Sequence, residues 1–285
     1  MFRIFSVQFL QKEIQLKKIL FSYLKILIYT VLCYLLLFSV EIICIVISEI
    51  INASGLSSIL IKQSAFLISG FIIILISRCN KIYSPLNIVV TKTIAFYFLT
   101  ILIIFIFFYI LFVSGIFDFK VYNLEDRYSF FKLLIYCIIP TFFIGFGEEI
   151  IFRWFLLNRL KTLLNANTAI VISSLIFSLG HNWNIPNMLF SITSGCLFAL
   201  IYTKTNSIFY CISIHSAWNF GQRFFLTGMS EFTFDAQRFV LFDVKNIKLY
   251  NWMEFDFSLI IISLFLFFNS RKKSIELYKN SPGIK

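Results

Sequence analysis

The chain has 285 residues, 59% hydrophobic and only 14% charged, with a net charge of +11 and a mean hydropathy of +0.88. Soluble domains carry about 25% charged residues, and a water-soluble fold of this size could not hide so much apolar surface, 38 phenylalanines included. A soluble domain is therefore excluded. The positive charge flanks apolar runs, where it sets membrane orientation, so it does not indicate a nucleic-acid partner.

The apolar runs are about 20 residues long, the length of a spanning helix rather than of a barrel strand. The opening stretch, MFRIFSVQFLQKEIQLKK, mixes apolar and basic residues at helical spacing and is expected to lie on the inner membrane surface. The first long run starts near Ile26 and passes Val40, too long for the core of a cleaved signal. In chain order the expected spans are Ile26–Ser48, Leu56–Ser77, Ile94–Phe117, Lys132–Arg153, Asn167–Trp183, Asn187–Thr203, Ser207–Arg223 and Phe257–Ser270. The fold class is thus all-α: a polytopic transmembrane helix bundle of about eight spans. Placing the N-terminus inside puts most of the 25 lysines and arginines on the inner side, among them Arg78, Lys81, Arg159, Lys161, Lys204 and the Arg271–Lys273 cluster. Both termini are then cytoplasmic. The longest outer segment, Gly221–Glu254, carries Glu231, Asp235 and Asp243. The six cysteines lie mostly within apolar runs and form no CxxC pair; they read as small apolar residues, not as disulfides or metal ligands.

A charge at membrane depth costs about 2.5–3.5 kcal/mol on insertion scales, so those that persist face a protein interior. The fourth span holds GFGEEIIFRW, residues 145–154. Arg153 follows Glu149 by four residues, on the same helical face, and the two can pair. Glu148 is rotated by about 100° and is left free to face a cavity. A buried polar clamp of all three residues is the plain structural alternative. The only two histidines, His181 and His215, fall in later spans. His181 closes FSLGH, four residues after Phe177; His215 opens HSAWN, four before Asn219 and on the same face. Facing side chains of this kind build sites in helix bundles.

These residue types suit hydrolysis. A desolvated glutamate can take a proton from water, a histidine can orient that water, and Asn and His can donate to an oxyanion. Ser216 adjoins His215 but cannot face it on a helix, and neither GxSxG nor HExxH occurs. Glu41 in the first span admits a second reading, an ion path. A proton- or ion-coupled transporter would also call for internal repeats or broken helices, which the sequence does not display. Pro140 is expected to kink the fourth span, Pro186 to mark a turn, and Thr193–Gly195 to permit close helix packing.

In order, EEIIFR (Glu148–Arg153), FSLGH (Phe177–His181) and HSAWN (His215–Asn219) read EExxxR, FxxxH and HxxxN. This set resembles the CPBP family: the type II CAAX prenyl endopeptidases and bacteriocin-processing or immunity proteins. The flanks Ser173-Ser174 and SIFYCISIH (Ser207–His215) agree. Trp154 departs from it, since many relatives have glycine after the motif arginine. The resemblance implies a catalytic core over residues 130–225, preceded by an N-terminal region (1–129) and followed by an outer loop, last span and basic tail (226–285).

It also implies roles. Glu148 and His181 would activate the hydrolytic water, His215 and Asn219 would form the oxyanion site, and Glu149, Arg153 and Phe177 would support them. The family has also been described as intramembrane metalloproteases, in which case Glu148, His181 and His215 would ligate zinc; the metal-free glutamate mechanism is favoured. The implied partners are the lipid bilayer and a peptide or protein substrate at the membrane, with the oligomeric state open. The residue usage suggests a bacterial plasma membrane. The alternative is a non-proteolytic immunity or scaffold protein of the same fold.

Overall fold

A computed structural model describes residues 2–53, 55–79, 90–119, 127–227 and 242–279. In order these form α1 (Phe2–Ile50), α2 (Gly55–Cys79), α3 (Val90–Val113), β1 (Phe117–Phe119) and α4 (Arg127–Glu149). The chain continues without a break as a π-helix, Ile150–Leu157, and a short α5 (Asn158–Lys161). Then come α6 (Ala166–Ser178), α7 (Ile185–Thr205), α8 (Ile208–Phe225), β2 (Leu226–Thr227), β3 (Phe242–Val244) and α9 (Ile247–Lys279). The molecule is an all-α membrane helix bundle. Helices dominate because lipid offers backbone groups no partners and a helix satisfies its own.

Among the described residues, five helices are long and apolar enough to cross a membrane: Ile19–Ile50, Ser57–Arg78, Val90–Val113, Ile185–Thr205 and Ile247–Leu266. The expected fourth, fifth and seventh spans are not among them. They are the site-bearing helices: α4 passes into the π-helix after Glu149, α8 carries His215, Asn219, Gln222 and Arg223, and α6 is only 13 residues long, roughly 20 Å. The last helix begins ten residues before the expected start at Phe257, because residues 247–256 contain no Gly or Pro to stop it. This draws Glu254, read as part of the outer segment, into a helix at 3% exposure. Lys81, Glu231 and Asp235 lie outside the described residues.

Small residues set how closely the helices approach. α4 packs against α2 on one side and α8 on the other. A Cβ on Gly147 would lie 2.2 Å from the Phe66 carbonyl oxygen of α2, and one on Gly145 would lie 2.3 Å from the Ser216 Oγ of α8. Pro140 sits inside α4, where its ring removes one amide donor. Asn165 and Asn184 cap α6 and α7 by accepting from Thr168 N and Asn187 N, and Asn206 ends α7 in the left-handed conformation with φ 52°. Pro186 lies in the first turn of α7, where its missing amide costs nothing.

One buried cluster joins the π-helix to α6, α7 and the first half of α8 through Ile151, Leu157, Phe177, Ala199 and Cys211. Another joins α3, the end of α8 and the start of α9 through Phe108, Phe224 and Tyr250. At that end β3 pairs with β1 antiparallel and β2 parallel, a three-stranded patch ordered β1-β3-β2 that ties the ends of α3 and α8 to the start of α9. Cys33, Cys44, Cys137, Cys196 and Cys211 are free thiols.

Candidate active site

The site is built where α4 becomes π-helical. Glu148 and Glu149 are its last α-helical residues, and the wider i→i+5 turn carries Arg153; such turns recur at functional sites. Arg153 Nη1 lies 3.2 Å from Glu149 Oε1, with both side chains at 1% exposure or less. The pair is coulombic, since neither Arg153 Nη makes a well-directed hydrogen bond. The guanidinium is covered by aromatic faces instead, 3.8 Å from the Phe177 ring centre and 5.3 Å from that of Phe198. Gly195 makes the room: a Cβ there would lie 3.3 Å from both Arg153 Nη2 and the Phe177 ring.

His215, mid-way along α8, donates from Nδ1 to Glu149 Oε1 at 2.9 Å. Its ring stacks on Phe198 (5.2 Å, 18°) and meets the edge of Phe177 (6.2 Å, 84°). Nδ1 must carry the hydrogen, because a carboxylate only accepts. That turns Nε2 toward Glu148, 3.6 Å from its Oε2.

His181 does not lie on a helix, contrary to its expected place within a span. α6 ends at Ser178, and three i→i+3 bonds carry the chain through a tight turn: Leu179 N to Ile176 O, Gly180 N to Phe177 O and His181 N to Ser178 O. The four-residue link to Phe177 survives in another form, with His181 Nδ1 donating to Phe177 O at 3.0 Å. A carbonyl only accepts, so this ring too presents Nε2 to Glu148, 4.0 Å from Oε2. Both histidines therefore share one tautomeric arrangement and converge on the same carboxylate oxygen, which is buried and has no hydrogen-bond partner within the protein.

Phe177 is the hub, touching Arg153, His181, His215 and Phe152. Six of the seven residues read from the motifs thus come together. Asn219, the seventh, lies one turn beyond His215, half-buried and without a hydrogen bond to the other six. Side-chain exposure rises from 0% at Glu149 through 8% at His215 and 12% at Glu148 to 32% at His181. Sequence reasoning missed Phe198 and Gly195. One phenylalanine among 38 carries no mark of its own, whereas Gly195 was visible only as a packing residue.

A zinc ion bound at about 2.0–2.2 Å sets its donors roughly 3.4 Å apart in a tetrahedron. Here the Glu148–His215 and Glu148–His181 separations are 3.6 and 4.0 Å. Among the described residues no group of three His, Cys, Asp or Glu closes into a metal-binding set. Glu148, His181 and His215 are the residues that would hold a zinc ion, at separations slightly wider than a tetrahedral set.

The helix bundle thus brings paired glutamates, an arginine and two histidines together from separate elements. Residues 130–221, about a third of the chain and the part that holds all seven motif residues, match the family model of type II CAAX prenyl endopeptidase Rce1-like proteins. Over that segment the chain is similar to the CPBP/CAAX protease family. No curated protein matches it.

Proposed function

We propose that the protein is an intramembrane endopeptidase that hydrolyses a peptide bond in a membrane-associated polypeptide by a metal-free, glutamate-driven route. The convergence of both histidine Nε2 atoms on Glu148 Oε2 carries this reading. Distances of 3.6 and 4.0 Å exceed a direct hydrogen bond and suit a bridging water. Glu148 takes a proton from that water as its oxygen bonds to the scissile carbonyl carbon. The negative oxygen of the tetrahedral intermediate is met by donors from His215, as imidazolium, and Asn219. The carbon–nitrogen bond then breaks, and the proton held by Glu148 passes to the leaving amine.

Charge supports the scheme. Arg153 balances Glu149, so one further proton on Glu148 or a histidine brings the buried group to neutrality. With Nδ1 held by Glu149, His215 can carry that proton and still direct Nε2–H into the site. Trp154, where many relatives have glycine, is buried in the hydrophobic core. The bilayer concerned is a bacterial plasma membrane, and the substrate is a peptide or the C-terminal part of a protein held at it.

The test is proteolysis in liposomes against a peptide library, comparing wild type with Glu148→Gln and His215→Gln, each with and without a strong chelator. General acid–base catalysis contributes about 10²–10⁴-fold, and both variants are expected to lose activity on that scale while chelator has no effect. Activity retained by Glu148→Gln would refute the reading. Loss in chelator with recovery on adding zinc would replace it by a metal mechanism.

A further inference from the structure

We infer that Tyr34 of α1, outside the matched segment, is a positioning residue that holds His181 against Glu148. Its hydroxyl donates to the Ile176 carbonyl in the last turn of α6, 142 residues away in sequence. That carbonyl also receives Leu179 N, the first of the three bonds that shape the turn carrying His181. The same hydroxyl and the ring Cε1 lie 3.3 Å from where a Cβ on Gly180 would sit, immediately before His181. The ring packs against Phe38 of α1 (5.9 Å) and Phe152 of the π-helix (5.8 Å). Tyr34 therefore touches both elements whose relative placement sets the 4.0 Å separation of His181 and Glu148.

The physical need is clear. His181 is the most exposed of the two glutamates and two histidines, at 32%, and sits on a turn rather than a helix. Its own ring bond, to Phe177 O, lies within the turn and does not tie that turn to the rest of the bundle. Tyr34 supplies a tie from α1. A Cβ on Gly180 would press on the phenol, which would have to give by a few tenths of an ångström.

This role rests on the peptidase reading for its kinetic consequence but not for its structural one. The chain has two histidines, so selective ¹³C-histidine labelling yields two ring signals, assigned with His215→Gln. Tyr34→Phe keeps the ring and removes only the hydroxyl. It is expected to shift or broaden the His181 signal, leave that of His215 in place and, as for outer-shell partners of site residues, lower kcat roughly tenfold with KM unchanged. Gly180→Val, which displaces the phenol, should move the same signal.

Both signals unmoved in Tyr34→Phe would overturn the inference. Both moved together with a lowered Tm would also overturn it, by making Tyr34 a general packing residue. If wild type cleaves nothing but the His181 signal alone moves, the positioning role stands and the peptidase reading falls.

Discussion

At the scale of single residues, Arg153 is a charge taken out of water and paired with a buried carboxylate. Removing one member of such a pair strands the other and costs about 3–5 kcal/mol, while replacing both by apolar or neutral groups is far milder. Arg153→Met should therefore lower the Tm sharply, and Glu149→Gln combined with Arg153→Met should recover much of the loss; a thermal melt in detergent decides it, and additive losses would contradict the pairing. This pair was legible in the sequence because i, i+4 spacing survives the transition into the π-helix. The hydrogen bond from His215 to Glu149 was not, because it joins residues 66 positions apart, and no local spacing encodes which of two neighbouring carboxylates a distant histidine meets. The family roles pair His215 with Asn219 alone; the geometry adds Glu149 as the group that fixes its tautomer.

At the scale of elements, α4 is pressed into place by glycines. The GFG at 145–147 appears in the sequence as a gap between charged and apolar residues, and its meaning emerges only when α2 and α8 are known to lie on opposite sides. Gly147 meets backbone, which cannot yield, at 2.2 Å. Gly147→Ala should thus be destabilising by about 1–3 kcal/mol, the usual cost of overpacking. Gly115, with open space around it but φ at +75°, provides a comparison in which only backbone strain is at issue. A Gly147→Ala Tm equal to wild type would show that the two helices separate freely. The π-helix and the early start of α9 were likewise invisible: hydropathy reports whether a stretch is apolar, not how wide its turns are, and it stops reporting a helix where Glu254 and Asp256 begin.

At the scale of the whole molecule, composition alone announced a membrane protein, and large apolar side chains such as Leu35, Phe98, Leu102 and Leu264 remain about half exposed, as lipid-facing residues do. Five apolar helices should keep the chain in the pellet when membranes are washed with alkaline carbonate, and its release to the supernatant would contradict integral insertion. What composition could not convey is direction. The site is closed at Glu149 and opens by degrees toward His181, on the turn between α6 and α7. Under the proposed function a polypeptide would approach from that side, and a peptide carbonyl inside an intact helix is already committed to its own amide partner and wrapped in side chains. Such a bond cannot be offered to Glu148. Under the proposed peptidase function, the choice of where to cut would be governed less by which side chains flank a bond than by where a substrate can be unravelled, so that loosely wound ends and glycine- or proline-weakened stretches would be cleaved while stable spans of identical composition would pass untouched.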